Sequence, residues 1–305
     1  MKPHNFVHDC PVMLSLSGCF RAITPHSLGG ELLAMLQLGN LGAGHLPVFF
    51  AIIFTLMLGS TYVFAVWRGD VDPVFPYISA EGDRRPESCF FSMMLNLSSF
   101  LSMLIIYLRY SLVSELNRSA DLCLKRVNEL SLVAGLLGAF GMFLVANFQE
   151  TAVLTVHLVS AFVCFGSGCV YMIIQAYISV HMHPLYANRH IGLIRSFFAF
   201  VAITSFFIAV IFGVLASNEF HKYYPHLPTP RPWSRKKYEP GYELHCISAM
   251  AEWLLAVCNV AFLLSFSYSR DFEKIQVELG VQPLVAHLDQ SPLWRSTTDL
   301  GSISG

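Results

Sequence analysis

Six stretches of the chain are predominantly apolar and almost free of charged residues: 46–67, 89–108, 130–147, 152–180, 196–216 and 247–268. A helix crosses a hydrocarbon core of about 30 Å in about 20 residues, so each stretch predicts a membrane-spanning helix. The apolar residues run continuously rather than alternating, which selects a helical bundle over a closed barrel. The predicted fold class is all-α, a polytopic integral membrane protein built as a six-transmembrane-helix bundle. The third span is the shortest and richest in glycine, and the fourth exceeds what a bilayer needs, so it should tilt or emerge.

Polar residues inside such spans must find partners away from lipid. Ser92, Asn96, Ser99 and Ser102 recur at helical spacing in the second span. The fourth carries His157, Ser160, Cys164, Ser167, Tyr171 and Gln175 in register, and the sixth carries His245, Ser248, Glu252 and Asn259. Each set falls on one helix face. The second, fourth and sixth spans run in the same direction, and Asn96, His157 and Glu252 each lie roughly 8–10 Å inside their starts at 1.5 Å per residue. Asn147, Gln149, Glu150 and His245 lie just above that level. A polar cluster of Asn96, Asn147, Gln149, His157, His245 and Glu252 in one half of the bundle is therefore the candidate binding site. One reading makes these residues hydrogen-bonding struts that fix helix register, at about 0.6–2 kcal/mol per contact. The other makes them a pocket for a small ligand or lipid headgroup, in which Glu252 shares a proton with His157 or His245 and senses pH. In the third span Ala134, Gly135, Gly138 and Gly141 predict close helix packing.

Composition sharpens this. Hydrophobic residues make up 54% of the 305, charged residues 13%, and mean hydropathy is +0.54. With a net charge of −1 and its 19 Lys and Arg dispersed, the chain has no phosphate-reading face, which excludes nucleic acid. The 8 cysteines form no CxxC pair, so neither a disulfide framework nor a zinc site is indicated. His181 and His183 form an HxH with no further ligand nearby, so no metal or other cofactor is implied. No nucleophile, base and orienting group stand at a defined spacing, and the chain reads as a non-enzyme with no catalytic residues. Cys89 and Cys246 begin spans on the same side, within reach of a bridge only if their Cα atoms approach to about 6 Å.

Eleven of the 19 Lys and Arg, among them Arg109, Lys125, Arg126 and Arg195, fall on one side of the predicted spans. The positive-inside rule puts that side, with both termini, in the cytosol. Connections 68–88, 148–151 and 217–243 are then lumenal, and the sequons at Asn96 and Asn117 lie in a span and in the cytosol. Residues 1–45 form a cytosolic extension in which 1–34 read as disordered, with Met35 an alternative start. Residues 46–270 form the transmembrane domain, and 271–305 form a cytosolic tail that begins as a short interfacial helix.

Several motifs together carry a family resemblance: Pro76-Tyr-Ile-Ser79, Pro86-Glu-Ser-Cys89, Met94-Leu-Asn96, Tyr107-Leu-Arg-Tyr110, Val145-Ala-Asn-Phe-Gln149, Gly241-Tyr-Glu-Leu-His245, Ala251-Glu-Trp253 and Arg270-Asp-Phe-Glu-Lys-Ile275. Over roughly residues 46–280 the chain resembles the DNA-damage-regulated autophagy modulator (DRAM) family. The resemblance implies a six-span protein of lysosomal and related endomembranes, both termini cytosolic, that promotes autophagy and links it to cell death. It implies as partners membrane lipids and autophagy or lysosomal membrane proteins. All six candidate site residues fall on matching positions, whereas Cys246 does not. Tyr177-Ile-Ser-Val180 fits a tyrosine sorting pattern but lies at the membrane, so lysosomal targeting follows from the resemblance alone. The wider superfamily adds a second expectation, a lipid- or solute-handling protein such as a transporter or lipid-remodelling factor; a third is a structural scaffold.

Overall fold

A computed structural model of the chain describes residues 12–16, 43–74, 76–117, 121–182, 188–227, 239–269, 271–272 and 275–279. Six long helices dominate it: α1 (Leu46–Arg68), α3 (Glu87–Leu116), α4 (Leu122–Asn147), α5 (Leu154–His181), α6 (Arg189–Tyr223) and α7 (Tyr242–Tyr268), with one short helix, α2 (Ile78–Glu81), between the first two. All six are long and apolar enough to cross a membrane, with mean hydropathy from 1.8 to 2.6 over their best windows. Most run past the apolar stretches that announced them. The α3 helix starts two residues earlier and ends eight later, because backbone hydrogen bonding continues where side chains turn polar.

The ends are set by local chemistry. Asp121 accepts from the backbone of Cys123 and Leu124 to cap α4, and Asn188 accepts from His190 to cap α6. Gly69 closes α1 at φ 72°, donating to Ala65 and Val66 carbonyls. Gly241 opens α7 at φ 82°, and a Cβ there would lie 2.5 Å from the Ala216 carbonyl oxygen.

The six helices form a closed ring: each packs on the next from α3 to α7, while α1 packs on both α3 and α7. Large apolar side chains such as Phe49, Leu56, Phe140 and Phe200 face outward, as a lipid-facing surface requires. The predicted close packing in α4 is present. A Cβ on Gly141 would meet the Cys164 backbone nitrogen at 2.6 Å, and one on Gly138 the Gly168 nitrogen at 3.2 Å, so glycine there lets α4 and α5 touch along their backbones.

A separate unit holds a two-stranded parallel sheet in which β1 (Val12–Leu16) pairs with β2 (Ile275–Leu279), Val12 opposite Ile275. These strands fall where disorder and a short helix were expected. In β2, Ile275, Val277 and Leu279 alternate with Gln276 and Glu278, a period of two that suits a strand better than a helix. His183, Met35 and most of residues 1–42 and 273–305 lie outside the described residues.

Candidate functional site

One end of the helical ring carries residues 69–74 and 76–86, 148–153, 224–227 and 239–241, and the first of these connections folds inward. Its stretch 76–83 is hydrogen-bonded to three neighbours, α7, α1 and the 148–153 connection, and through Ser248 to α6. Tyr77 donates its hydroxyl to Ser248 at 2.8 Å, and Ser248 in turn donates to the Ala209 carbonyl on α6 at 2.6 Å. The Trp253 indole donates to the Pro76 carbonyl at 2.9 Å, while the Ile78 N–H donates to Glu252 Oε2 at 3.4 Å. Thr61 on α1 donates to Glu81 Oε2 at 3.3 Å, and Ser79 to Glu150 Oε2 at 3.3 Å. Asp83 Oδ1 accepts from the Thr151 N–H at 3.1 Å and from its hydroxyl at 2.7 Å.

Beneath this stretch lies a cavity of about 720 Å³, within the roughly 300–1,000 Å³ of small-molecule sites. Phe54, Phe91, Phe206 and Leu255 contribute to its apolar wall, and Tyr77, Glu150, His157, His245 and Glu252 to its polar end. Leu154, Leu158 and Phe162 on α5, with Val214 on α6, border the cavity while facing outward, so it opens sideways between these helices.

Of the six residues expected to cluster, His157, His245 and Glu252 do border this space. Asn96 and Asn147 instead clasp each other in a reciprocal amide pair at 3.2 and 2.8 Å between α3 and α4, and neither they nor Gln149 border it. The His157 ring is held by the Phe148 carbonyl at 2.7 Å, and the His245 ring meets Tyr77 edge-on at 4.6 Å. Glu81 and Asp83 are buried beside the site without having been singled out from sequence. Their signal was the apolar-acid stretch Ile78-Ser-Ala-Glu81 in a connection that looked like a surface loop. Cys89 and Cys246 are not bridged; Cys246 donates to the Val74 carbonyl at 3.9 Å.

Among the described residues, the buried acids of this end outnumber the cations that meet them. Arg68 pairs with Asp70 and Glu87, each at 3.1 Å, and Arg84 pairs with Asp70 at 2.6 Å. Glu81, Asp83, Glu150 and Glu252 accept only from neutral hydroxyl and amide donors, with no ion pair to a cation among the described residues. Burial raises the Glu81 carboxyl to about 9 despite the Thr61 hydrogen bond, with Glu252 adding to the rise. Burial first, then the Asp83 charge, raises Glu150 to about 7.

The opposite end holds a second polar cluster that sequence had assigned to topology alone. Arg195 (0% exposed) and Arg109 (2% exposed) converge on Asp271 Oδ2 at 2.7 and 3.0 Å. Arg195 also donates to Ser265, Ser179 and Ser269 at 2.8–2.9 Å, and Arg109 to Gln175 at 3.0 Å. Gln175 passes the chain on to Ser131 at 2.8 Å. Both guanidiniums lie over the Phe266 ring, Arg195 at 4.5 Å and Arg109 at 5.2 Å. Five helices and the segment after α7 are tied together here. Tyr177-Ile-Ser-Val180 lies within α5 with Ile178 buried, helical rather than extended.

A ring of six apolar helices, pinned at one end and hollow at the other, defines a multi-pass membrane protein with a laterally open cavity. The family described as Frag1/DRAM/Sfk1/Cwh43P N-terminal domain matches residues 42–275, and the chain belongs to it. It is 34% identical to DNA damage-regulated autophagy modulator protein 2 of Bos taurus over 228 residues, covering 72% of this chain and 80% of the relative. It is 33% identical to DNA damage-regulated autophagy modulator protein 1 of Homo sapiens, covering 73% and 87%. A modulator of macroautophagy from Danio rerio is 29% identical over 239 residues, covering 76% and 89%. No solved structure matches the chain.

Proposed function

We propose that this chain modulates autophagy from the lysosomal membrane and couples it to apoptosis, acting as a regulator rather than a catalyst. The observation that carries the reading is the 33–34% identity, across most of the chain, to proteins named as autophagy modulators. In this reading both termini are cytosolic, as the distribution of Lys and Arg favours, so the cavity end faces the acidic lumen. The raised carboxyls of Glu81 and Glu150 support that placement, since they favour the folded state at low pH. Membrane lipids and autophagy or lysosomal membrane proteins are its partners. The test is re-expression of the tagged chain in cells lacking it. Overlap with lysosomal markers, cytosolic access to both tags, and restored autophagic flux and apoptotic response are expected. Plasma-membrane residence, or flux unchanged by its loss, overturns the reading.

The 720 Å³ cavity with its lateral mouth favours a second reading, a lipid- or solute-handling protein whose occupied cavity is what the membrane or a partner senses. Under it, Glu252→Gln alters autophagic flux while expression and thermal stability stay near wild type. Loss of expression with every substitution at Glu252 marks a scaffold instead.

A further inference from the structure

We propose that the cavity takes a cationic amphiphile from the bilayer, its ammonium head between Glu150 and Glu252 and its apolar body along Phe54, Phe91, Phe206 and Leu255. The proposal rests on the second reading above, that the cavity lodges a ligand, and adds the ligand's chemistry.

Three features of the site select it. The first is shape. Along α7 the lining runs from His245 through Glu252 to Asn259, and along α5 from His157 to Cys164. Seven helical residues span about 10 Å, so the space continues about that far below the carboxylates between mainly apolar walls. A polar head at one end of an apolar body fits this; a compact polar solute does not.

The second is access. The mouth between Leu154, Leu158 and Phe162 on α5 and Val214 on α6 opens on the apolar outer face. A ligand entering there comes from within the bilayer, already oriented with its head toward the polar end.

The third is charge. Groups facing the head position are Glu150 from the 148–153 connection, His157 from α5, and His245 and Glu252 from α7, with Tyr77 and Ser79 from the inward-folded stretch. Glu81 and Asp83 stand close behind, each with one buried carboxylate oxygen, Oε1 and Oδ2, lacking a hydrogen-bond partner. Arg68 and Arg84, on the same side of the bundle, are engaged by Asp70 and Glu87. An ammonium brings a positive charge that no described residue gives these four acids as an ion pair, together with N–H donors for charge-assisted bonds to carboxylates. Among the described residues no set of three His, Cys, Asp or Glu side chains converges to hold a metal ion, and the apolar extension would be idle in a metal site. A neutral lipid would leave the carboxylates to protons, and a fatty acid would add a further negative charge. Because Glu150 must be ionised to hold the head, binding weakens as pH falls through about 7.

The experiment uses the full chain in phosphatidylcholine nanodiscs, titrated with dodecylamine, dodecanol and dodecanoate, with empty discs as the partition control. Dodecylamine is expected to bind saturably and about tenfold or more tighter than dodecanol at pH 7.5, with the preference shrinking at pH 5. Glu150→Gln and Glu252→Gln are each expected to weaken dodecylamine about tenfold while leaving dodecanol unchanged. Ala161→Trp, which fills the cavity, should abolish saturable binding of both. Equal binding of dodecylamine and dodecanol overturns the cationic head while leaving the ligand-lodging reading intact. No saturable binding of any probe overturns both. Should Glu252→Gln not fold, Glu150→Gln and Ser79→Ala carry the head test; full retention of amine preference in both overturns the proposal.

Discussion

Arg109 and Arg195 at one end of the bundle meet a shared carboxylate, four serine or glutamine side chains and an aromatic face, whereas Glu81, Asp83, Glu150 and Glu252 at the other meet, among the described residues, only neutral donors around an open space. Burying charge demands compensation, and the two ends obtain it differently. At the arginine end it is built into the protein, so that end is fixed. At the acidic end it is left to protons or to something that enters, so that end responds to its surroundings. The arginine hub and the acidic site lie about one helix length apart.

The largest effect should come from unpinning the hub. Asp271→Ala leaves two buried guanidiniums without their carboxylate and is expected to cost about 3–5 kcal/mol. It should appear as lost monodisperse protein or a large drop in Tm in detergent, while Arg195→Lys keeps the charge but loses the forked geometry and falls between. A near-normal Tm for Asp271→Ala would break the contrast, by showing the hub to be no more than a surface pair. Gly141→Ala comes next. Its Cβ would enter the Cys164 backbone at 2.6–2.8 Å, which forces α4 from α5 at about 1–3 kcal/mol, read as Tm.

The acidic end predicts an opposite response to pH. Glu81 and Glu150 have folded-state values raised from 4.5 to about 9 and about 7. The folded state therefore binds more protons than the unfolded one. This contribution is fully present below about 4.5, and it is lost as pH rises through 7 for Glu150 and through 9 for Glu81. Tm is expected to fall from pH 5 to pH 8. Glu150→Gln should flatten the portion below pH 7 and raise Tm at pH 8, an effect on the order of 3 kcal/mol at most. A Tm that rises with pH would invert the comparison. The smallest effect belongs to Asn96→Ala, which breaks one amide pair outside the cavity; about 0.6 kcal/mol is expected, with amphiphile binding unaltered.

Much of this was legible in one dimension. Continuous apolar runs demand helices in lipid, and glycines at 135, 138 and 141 suit a close neighbour, so the six helices and the close packing of α4 followed from local patterns, while its partner α5 did not. The stripe on α5 and α7 located His157, His245 and Glu252, because helical spacing fixes which residues share a face. It also grouped Asn96 and Asn147 with them; these two pair with each other but do not border the cavity, because a common depth does not say which neighbour a face meets and in the ring α3 packs on α1 and α4. Arg109 and Arg195 read as topogenic charges because each stands alone in sequence. Only folding brings them to Asp271, 162 and 76 residues away.

The sequence by itself determined that this chain lives in a membrane as six helices, since hydrophobic length and backbone satisfaction in lipid are local constraints. The tertiary structure alone decided which buried charges meet an opposite charge and which do not. That depends on which residues, remote along the chain, the ring brings within 3 or 4 Å of one another. The same low charged fraction thus supplies a closed arginine hub at one end and an acidic cavity awaiting a cation at the other.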